Sequence, residues 1–381
     1  MKLFWRPTHV STTLLVFVAG LAVGGYLLVE SHRVERTMPD HDLKLKAAKV
    51  CKEAFEAVKQ ARLKRGLEID LEDDPMQSGL IGTTKSGITS KTGDITAKHT
   101  SINPNWAAVF VAMFKNAKVQ KGDTVAFGMT GSFPALNIAA LAAAKVMNIR
   151  PIIVSSVSAS MWGANLEKFT WLDMEAALRE AGIFDAKSVG ATLGGVEDRG
   201  IDITKRGIGL IRQAMQRNQV PELVGDSLDA MVDARKIAYK TAAEGQAIVA
   251  YVNIGGGIAS VGSIKAKKHY RAGLNEKALD EDREGQMGVM QYFAEEGVPV
   301  LHIVRMRKLA QQYGLPFDPP TMSKPGEGGV FRAELHATWL IWTVLGSILG
   351  ALFAITRIDV NFVLRKMFKP SGSAAPPGPA V

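Results

Sequence analysis

Hydroxyl and glycine residues recur at four places where an apolar run stops: Thr130-Gly131-Ser132 in GMTGS, Ser155-Ser156 in SSVSAS, Gly194-Gly195 in TLGGVEDRG and Gly255-Gly256-Gly257 in NIGGGIAS. Small residues let backbone N–H groups approach a ligand, and hydroxyls add donors, so each turn is a candidate wall of an anion site. Ser132 stands just before Pro134 at an expected helix start. It either caps that helix or, with Thr130 and nearby N–H groups, holds a carboxylate or phosphate. Lys265, Lys267, Lys268 and Arg271 in IKAKKHYRAG follow the glycine triplet. They are a candidate polyanion contact, with a solvated loop as the plain alternative. For bond-breaking chemistry the candidates are Ser132 as nucleophile, His99 in TAKHTSINPNW as base and Asp198 as acid or base. No spacing pairs any of them into a nucleophile–base unit, so whether the chain is an enzyme is left open.

Standard catalytic and cofactor motifs are missing. GMTGSFP has no Lys where a nucleotide P-loop needs one, and no G-x-G-x-x-G opens a strand–helix unit. Ser132 runs into Phe133-Pro134 and forms no G-x-S-x-G elbow. No His/carboxylate spacing reads as a metal site, and no cofactor is implied. The single cysteine, Cys51, rules out an internal disulfide framework.

The elements that must position these turns alternate along the chain. Strand-like runs lie at Thr124–Met129, Pro151–Val154, Lys187–Leu193, Ala247–Ile254 and Val298–Val304, separated by segments with helical spacing. Thr170-Trp171-Leu172-Asp173 has the form of a capping box. Such alternation predicts an α/β fold, mainly a parallel sheet with covering helices, Rossmann-like. In such sheets ligands bind at the carboxyl ends of the strands, where all four small-residue turns fall.

The net charge of +9 is unevenly placed. The two tails hold six basic residues against one acid, leaving +4 for everything between residues 30 and 356. That argues against nucleic acid, which asks for a basic folded domain. It suits a membrane protein, because each tail adjoins an uncharged apolar stretch: Val10–Val29 and Ala337–Ile355. Each approaches the ~20 residues needed to cross a bilayer, and the first exceeds the ~7–15 of a signal-peptide core. Gly20 with Gly24 and Gly346 with Gly350 are small-xxx-small pairs able to bring helices close.

The expected organisation is a cytoplasmic tail (1–9), a transmembrane helix (10–29) and an amphipathic stalk and linker (30–104). An α/β domain (105–320), a linker (321–336), a second transmembrane helix (337–355) and a basic, Pro-rich tail (356–381) follow. Basic residues after the second span favour cytoplasmic tails, hence an extracytoplasmic central domain in a two-span cell-membrane protein.

The strings MTGSFPALNIAALAA, SSVSASMWGAN…FTWLDME and GGVEDRGIDI, set between two anchors, resemble the poly-γ-glutamate system protein family. The resemblance covers most of the chain between the anchors. It implies an accessory membrane component of poly-γ-glutamate synthesis or export, in a capsule-type pathway. The implied partners are the poly-γ-glutamate synthase membrane subunits and the polymer or a glutamate-containing precursor. It transfers no catalytic residue, and a membrane-anchored amidohydrolase or transferase that trims or attaches the polymer is the alternative.

Overall fold

The computed structural model of the chain describes residues 12–263, 265–277 and 285–357. The chain forms two units: its two ends, up to Arg36 and from Ala333, make one, and Thr37–Arg332 makes the other.

In the first unit, helices Thr12–Ser31 and Thr338–Arg357 contain spans of 20 and 18 residues long and apolar enough to cross a bilayer. They meet where Gly25 faces Val344; a Cβ on Gly25 would collide with the valine side chain. The contact therefore depends on a missing side chain, as close packing in lipid does. It is not made by the expected pairs. At Gly20, Gly24, Gly346 and Gly350 a Cβ would find nothing within 4 Å. The first and last segments of the expected organisation, 1–9 and most of 356–381, lie outside the described residues.

The second unit is built on a six-stranded sheet. Its strands are β1 (Thr124–Thr130), β2 (Arg150–Ser156), β3 (Ser188–Thr192), β4 (Ile248–Ile254), β5 (Gly273–Asn275) and β6 (Val300–Ile303). They lie in the order β5-β6-β4-β1-β2-β3, with every neighbour parallel except the β5–β6 pair. The mainly parallel α/β expectation is met at this level. Both faces are covered, which is why the strands read as unbroken apolar runs. Val125, Phe127 and Met129 of β1 face one core while Ala126 faces the other; in β4, Val252 and Ile254 oppose Tyr251 in the same way.

Helices α1 (His41–Lys64), α2 (Ile95–Ser101), α3 (Trp106–Asn116), α4 (Pro134–Met147), α5 (Trp171–Glu180), α6 (Lys205–Arg217), α7 (Leu228–Ala243) and α8 (Val289–Glu295) surround the sheet. The first core takes side chains from α1, α3, α4, α5 and α6; the second takes them from α7 and α8. The capping box at Thr170 and Asp173 is present and starts α5.

Helix α1 corrects the expectation of a stalk. Ala47, Ala48, Cys51, Ala54, Phe55 and Val58 are buried, packed into the first core. The helical repeat is real, but its apolar face packs on α3, α4 and α5 of the domain rather than standing free of it. Residues 37–104 and 321–332 accordingly belong to the domain unit, with Phe331 fully buried.

Chain direction opens the functional crevice. From β1 the chain steps to β2 and then β3 on one side, and β4 returns on the other side of β1. The loops leaving β1 and β4 thus diverge at their carboxyl ends, where open α/β sheets hold ligands.

A covering helix and a stalk differ in what they lose on truncation. Phe55→Ala is expected to destabilise the full chain in detergent by about 3 kcal/mol in denaturant unfolding, as a buried Phe does. A solvated stalk would respond within about 0.5 kcal/mol.

Candidate functional site

A cavity of about 180 Å³ opens at the carboxyl ends of β1, β2, β3 and β4. Thr130, Ser132 and Phe133 form one wall at the entry to α4, and Ser156, Ser158 and Ser160 form the wall after β2. Gly194, Gly195 and Asp198 come from the loop after β3, Gly255, Gly256 and Gly257 from the turn after β4, and Ser90, Lys91 and Thr92 from the segment before α2. Four turns spread along the chain from Thr130 to Gly257 therefore share one cavity.

Backbone requirements explain the small residues. The chain turns so sharply after β1 that a Cβ on Gly131 would stand 2.8 Å from the Val157 carbonyl oxygen. After β3, Gly194 and Gly195 have φ of +75° and +70°, which only glycine adopts without strain. Glu197 and Asp198 follow at φ +54° and +64°. Two consecutive non-glycine residues in the left-handed region store backbone strain, which persists only where other contacts over-determine the conformation.

Those contacts centre on Asp198. Its carboxylate is buried and takes a 2.7 Å hydrogen bond from Nε of Arg235, on α7. It also accepts from the Thr192 hydroxyl at 2.8 Å and from the Ser156 hydroxyl at 3.1 Å. Nη2 of Arg235 donates to the same two hydroxyls, at 2.8 Å to Ser156 and 2.9 Å to Thr192. Burial alone would loosen the guanidinium's hold on its proton; the adjacent carboxylate overrides this and pushes the Arg235 pKa up. The Asp198 carboxylate is thus engaged on both oxygens by Arg235, Thr192 and Ser156 rather than presented to the cavity as a free group.

Ser132 does not cap α4. The N-cap is Phe133, with no side-chain cap bond, and the Ser132 hydroxyl oxygen accepts the Ser160 N–H at 3.0 Å. Thr130 Oγ1 accepts the Ser132 N–H at 3.1 Å. Beneath them lies Lys98 of α2, only 2% exposed. Its ammonium contacts the Ser132 carbonyl oxygen, lies 2.8 Å from Ser160 Oγ and stands 4.1 Å from the centroid of the Phe133 ring. Burial draws its pKa down to about 7, against the opposing pull of Asp94. Ser158 Oγ, on a residue 3% exposed, has no hydrogen-bond partner among the described residues. A buried hydroxyl without a partner is uncommon, and this one belongs to a residue of the cavity wall.

The remaining expected residues fall elsewhere. Ser155 points into the core, 2.8 Å from Ser188 Oγ and accepting from Trp171 Nε1 at 3.1 Å, because alternate residues of a strand face opposite ways. Gly131 shapes the turn without lining the cavity. His99 lies 3.0 Å from Asp318 and 2.8 Å from the Asp73 carbonyl, so the helical step from Lys98 carries it away from the site. Lys265, Lys268 and Arg271 are exposed and do not line the cavity, while the Lys267 side chain lies outside the described residues. Among the described residues the basic groups at the cavity are instead Lys91 on its wall, Lys98 behind Ser160, and Arg235 behind Ser156. Among the described residues no group of three or more His, Cys, Asp or Glu side chains could hold a metal ion.

No family model, curated protein or solved structure matches the chain.

The buried pair yields a direct test. Asp198→Ala leaves the Arg235 guanidinium buried and unpaired, and is expected to cost about 3–5 kcal/mol in denaturant unfolding of the full chain. An unchanged midpoint would show that the pair does not hold the loop.

Proposed function

We propose that this protein is an accessory membrane component of poly-γ-glutamate synthesis or export, whose α/β domain binds a carboxylate-bearing polymer end or precursor. One observation carries the ligand class: four small-residue turns converge on one cavity lined by hydroxyls and glycines, with Lys91 on its wall. Hydroxyls and backbone N–H groups suit a carboxylate, and the unpartnered Ser158 Oγ supplies a donor not yet spent. A cavity of about 180 Å³ accommodates a chain end or a small precursor better than a long run of polymer.

The pathway rests on the resemblance of the MTGSFPALN, FTWLDME and GGVEDRGIDI strings. The two apolar helices suit assembly with the poly-γ-glutamate synthase membrane subunits, through faces on which Gly20, Gly24, Gly346 and Gly350 are left uncovered. We further read the sheet as Rossmann-like, from the step back across β1 to β4, and the domain as extracytoplasmic, from the basic C-terminal flank.

The reading predicts that the full chain in detergent binds short γ-linked oligoglutamate, with affinity falling as salt rises. Ser158→Ala is expected to weaken binding about tenfold, the loss of one hydrogen bond to a charged group. Absent or salt-independent binding in a calorimetric titration would count against it.

A further inference from the structure

The cavity contains a second arrangement, at Ser160. This residue lies on the wall formed by the segment after β2, with its hydroxyl 2.8 Å from Lys98 Nζ. Both hydrogen-bond partners of Lys98, the Ser132 carbonyl and the Ser160 hydroxyl, are uncharged. A lysine buried to 2% exposure on neutral partners is costly to keep protonated. As a free amine it still donates to the Ser132 carbonyl, and its lone pair accepts the Ser160 proton across the same 2.8 Å. A nucleophile and a base within hydrogen-bond reach, with the base oriented by a third group, is the pattern of an activated serine. Serine with lysine as base is a known form of it.

We propose that Ser160 is an acyl-accepting nucleophile and Lys98 its general base, in a hydrolase or transferase site for an ester or amide of a carboxylate-bearing compound. The inference stands on these two side chains and does not require that oligoglutamate bind. As the Ser160 oxygen bonds to the acyl carbon, its proton passes to the Lys98 amine and the carbonyl electron pair moves onto oxygen. Ser132 and Ser158 line the same cavity, and in this proposal their hydroxyls serve as donors to that oxyanion. When the carbonyl re-forms, the bond to the leaving alcohol or amine breaks, and Lys98 returns the proton to it. Water, or an acceptor amine, then attacks the acyl-serine; Lys98 takes its proton and hands it to the Ser160 oxygen as the acyl group departs. Hydrolysis consumes one water and yields an acid plus an alcohol or amine, with no redox change.

The sign of the pH dependence follows from the lysine. Its pKa near 7 means that the base is ammonium and inactive in mild acid, and free amine above neutrality. The rate must therefore rise with pH through that value.

The test uses an uncharged alkyl fluorophosphonate on the full chain in detergent, with the adduct located by peptide mass spectrometry. The serine oxygen displaces fluoride from phosphorus, and the base takes the serine proton. The expected result is an adduct on Ser160 whose rate of formation rises about tenfold from pH 6 to pH 8, as titration of one base near pH 7 requires. Ser160→Ala should lose the adduct. Lys98→Arg keeps a cation beside Ser132 but no base, and should label about a hundredfold more slowly or worse. No adduct on Ser160, a rate flat between pH 6 and 8, or wild-type labelling of Lys98→Arg would each overturn the proposal. The wild-type pH profile needs no variant and decides the matter even if Lys98→Arg fails to fold. A lysine that only ties Ser160 to the Ser132 carbonyl would leave that profile flat.

Discussion

The buried pair of Asp198 and Arg235 is the constraint on which the cavity depends. Burying two charges is costly, and their mutual attraction repays that cost only when the remaining donors and acceptors are also satisfied. Here the Ser156 and Thr192 hydroxyls satisfy them from β2 and β3, while α7 supplies the guanidinium. Three neighbouring elements are thereby tied to one loop. That tie holds Glu197 and Asp198 at positive φ, directly after the Gly194-Gly195 turn that lines the cavity. The pair is better understood as a positioning device than as a source of net stability.

Lys98 presents the complementary case. A cation is again buried, but on a carbonyl, a hydroxyl and an aromatic ring rather than a carboxylate. Two solutions to a buried charge thus stand behind the same cavity, at Ser156 and at Ser160. At Arg235 a carboxylate holds the proton in place; at Lys98 desolvation loosens it. The first arrangement fixes geometry, and the second prepares a group to exchange a proton near neutrality.

Much of the frame was legible in the sequence because it rests on patterns with a physical period. The strands beginning at Thr124 and Ala247 read as unbroken apolar runs since both their faces are covered, and the turns after them announce themselves by glycine and serine. Thr130, Ser132, Ser156, Gly194, Gly195 and Gly255–Gly257 were found from that punctuation, and they do line the cavity. The missed residues carry no local signal. Arg235 is one basic residue among several on α7, and Lys98 differs from the neighbouring His99 only in which way the helix turns it. Helix α1 differs from the expected stalk because an apolar stripe at helical spacing is the same whether the helix leads to a domain or packs, as here, on the helices α3, α4 and α5 of one. Ser155 failed for a simpler reason, since adjacent strand residues cannot face the same side. Charge clustering misled as well: Lys265, Lys268 and Arg271 are near in sequence and solvated, whereas the cations at the cavity are scattered along the chain.

The central proposal is that this protein acts in poly-γ-glutamate synthesis or export, and that it does so through this cavity rather than through the membrane anchors alone. It is tested most directly by the amount and chain length of the polymer made by cells whose gene carries Ser132→Ala and Ser158→Ala together. The account predicts reduced polymer or an altered length distribution, with the variant present in the membrane at wild-type abundance. Polymer of wild-type amount and length at that abundance would contradict it.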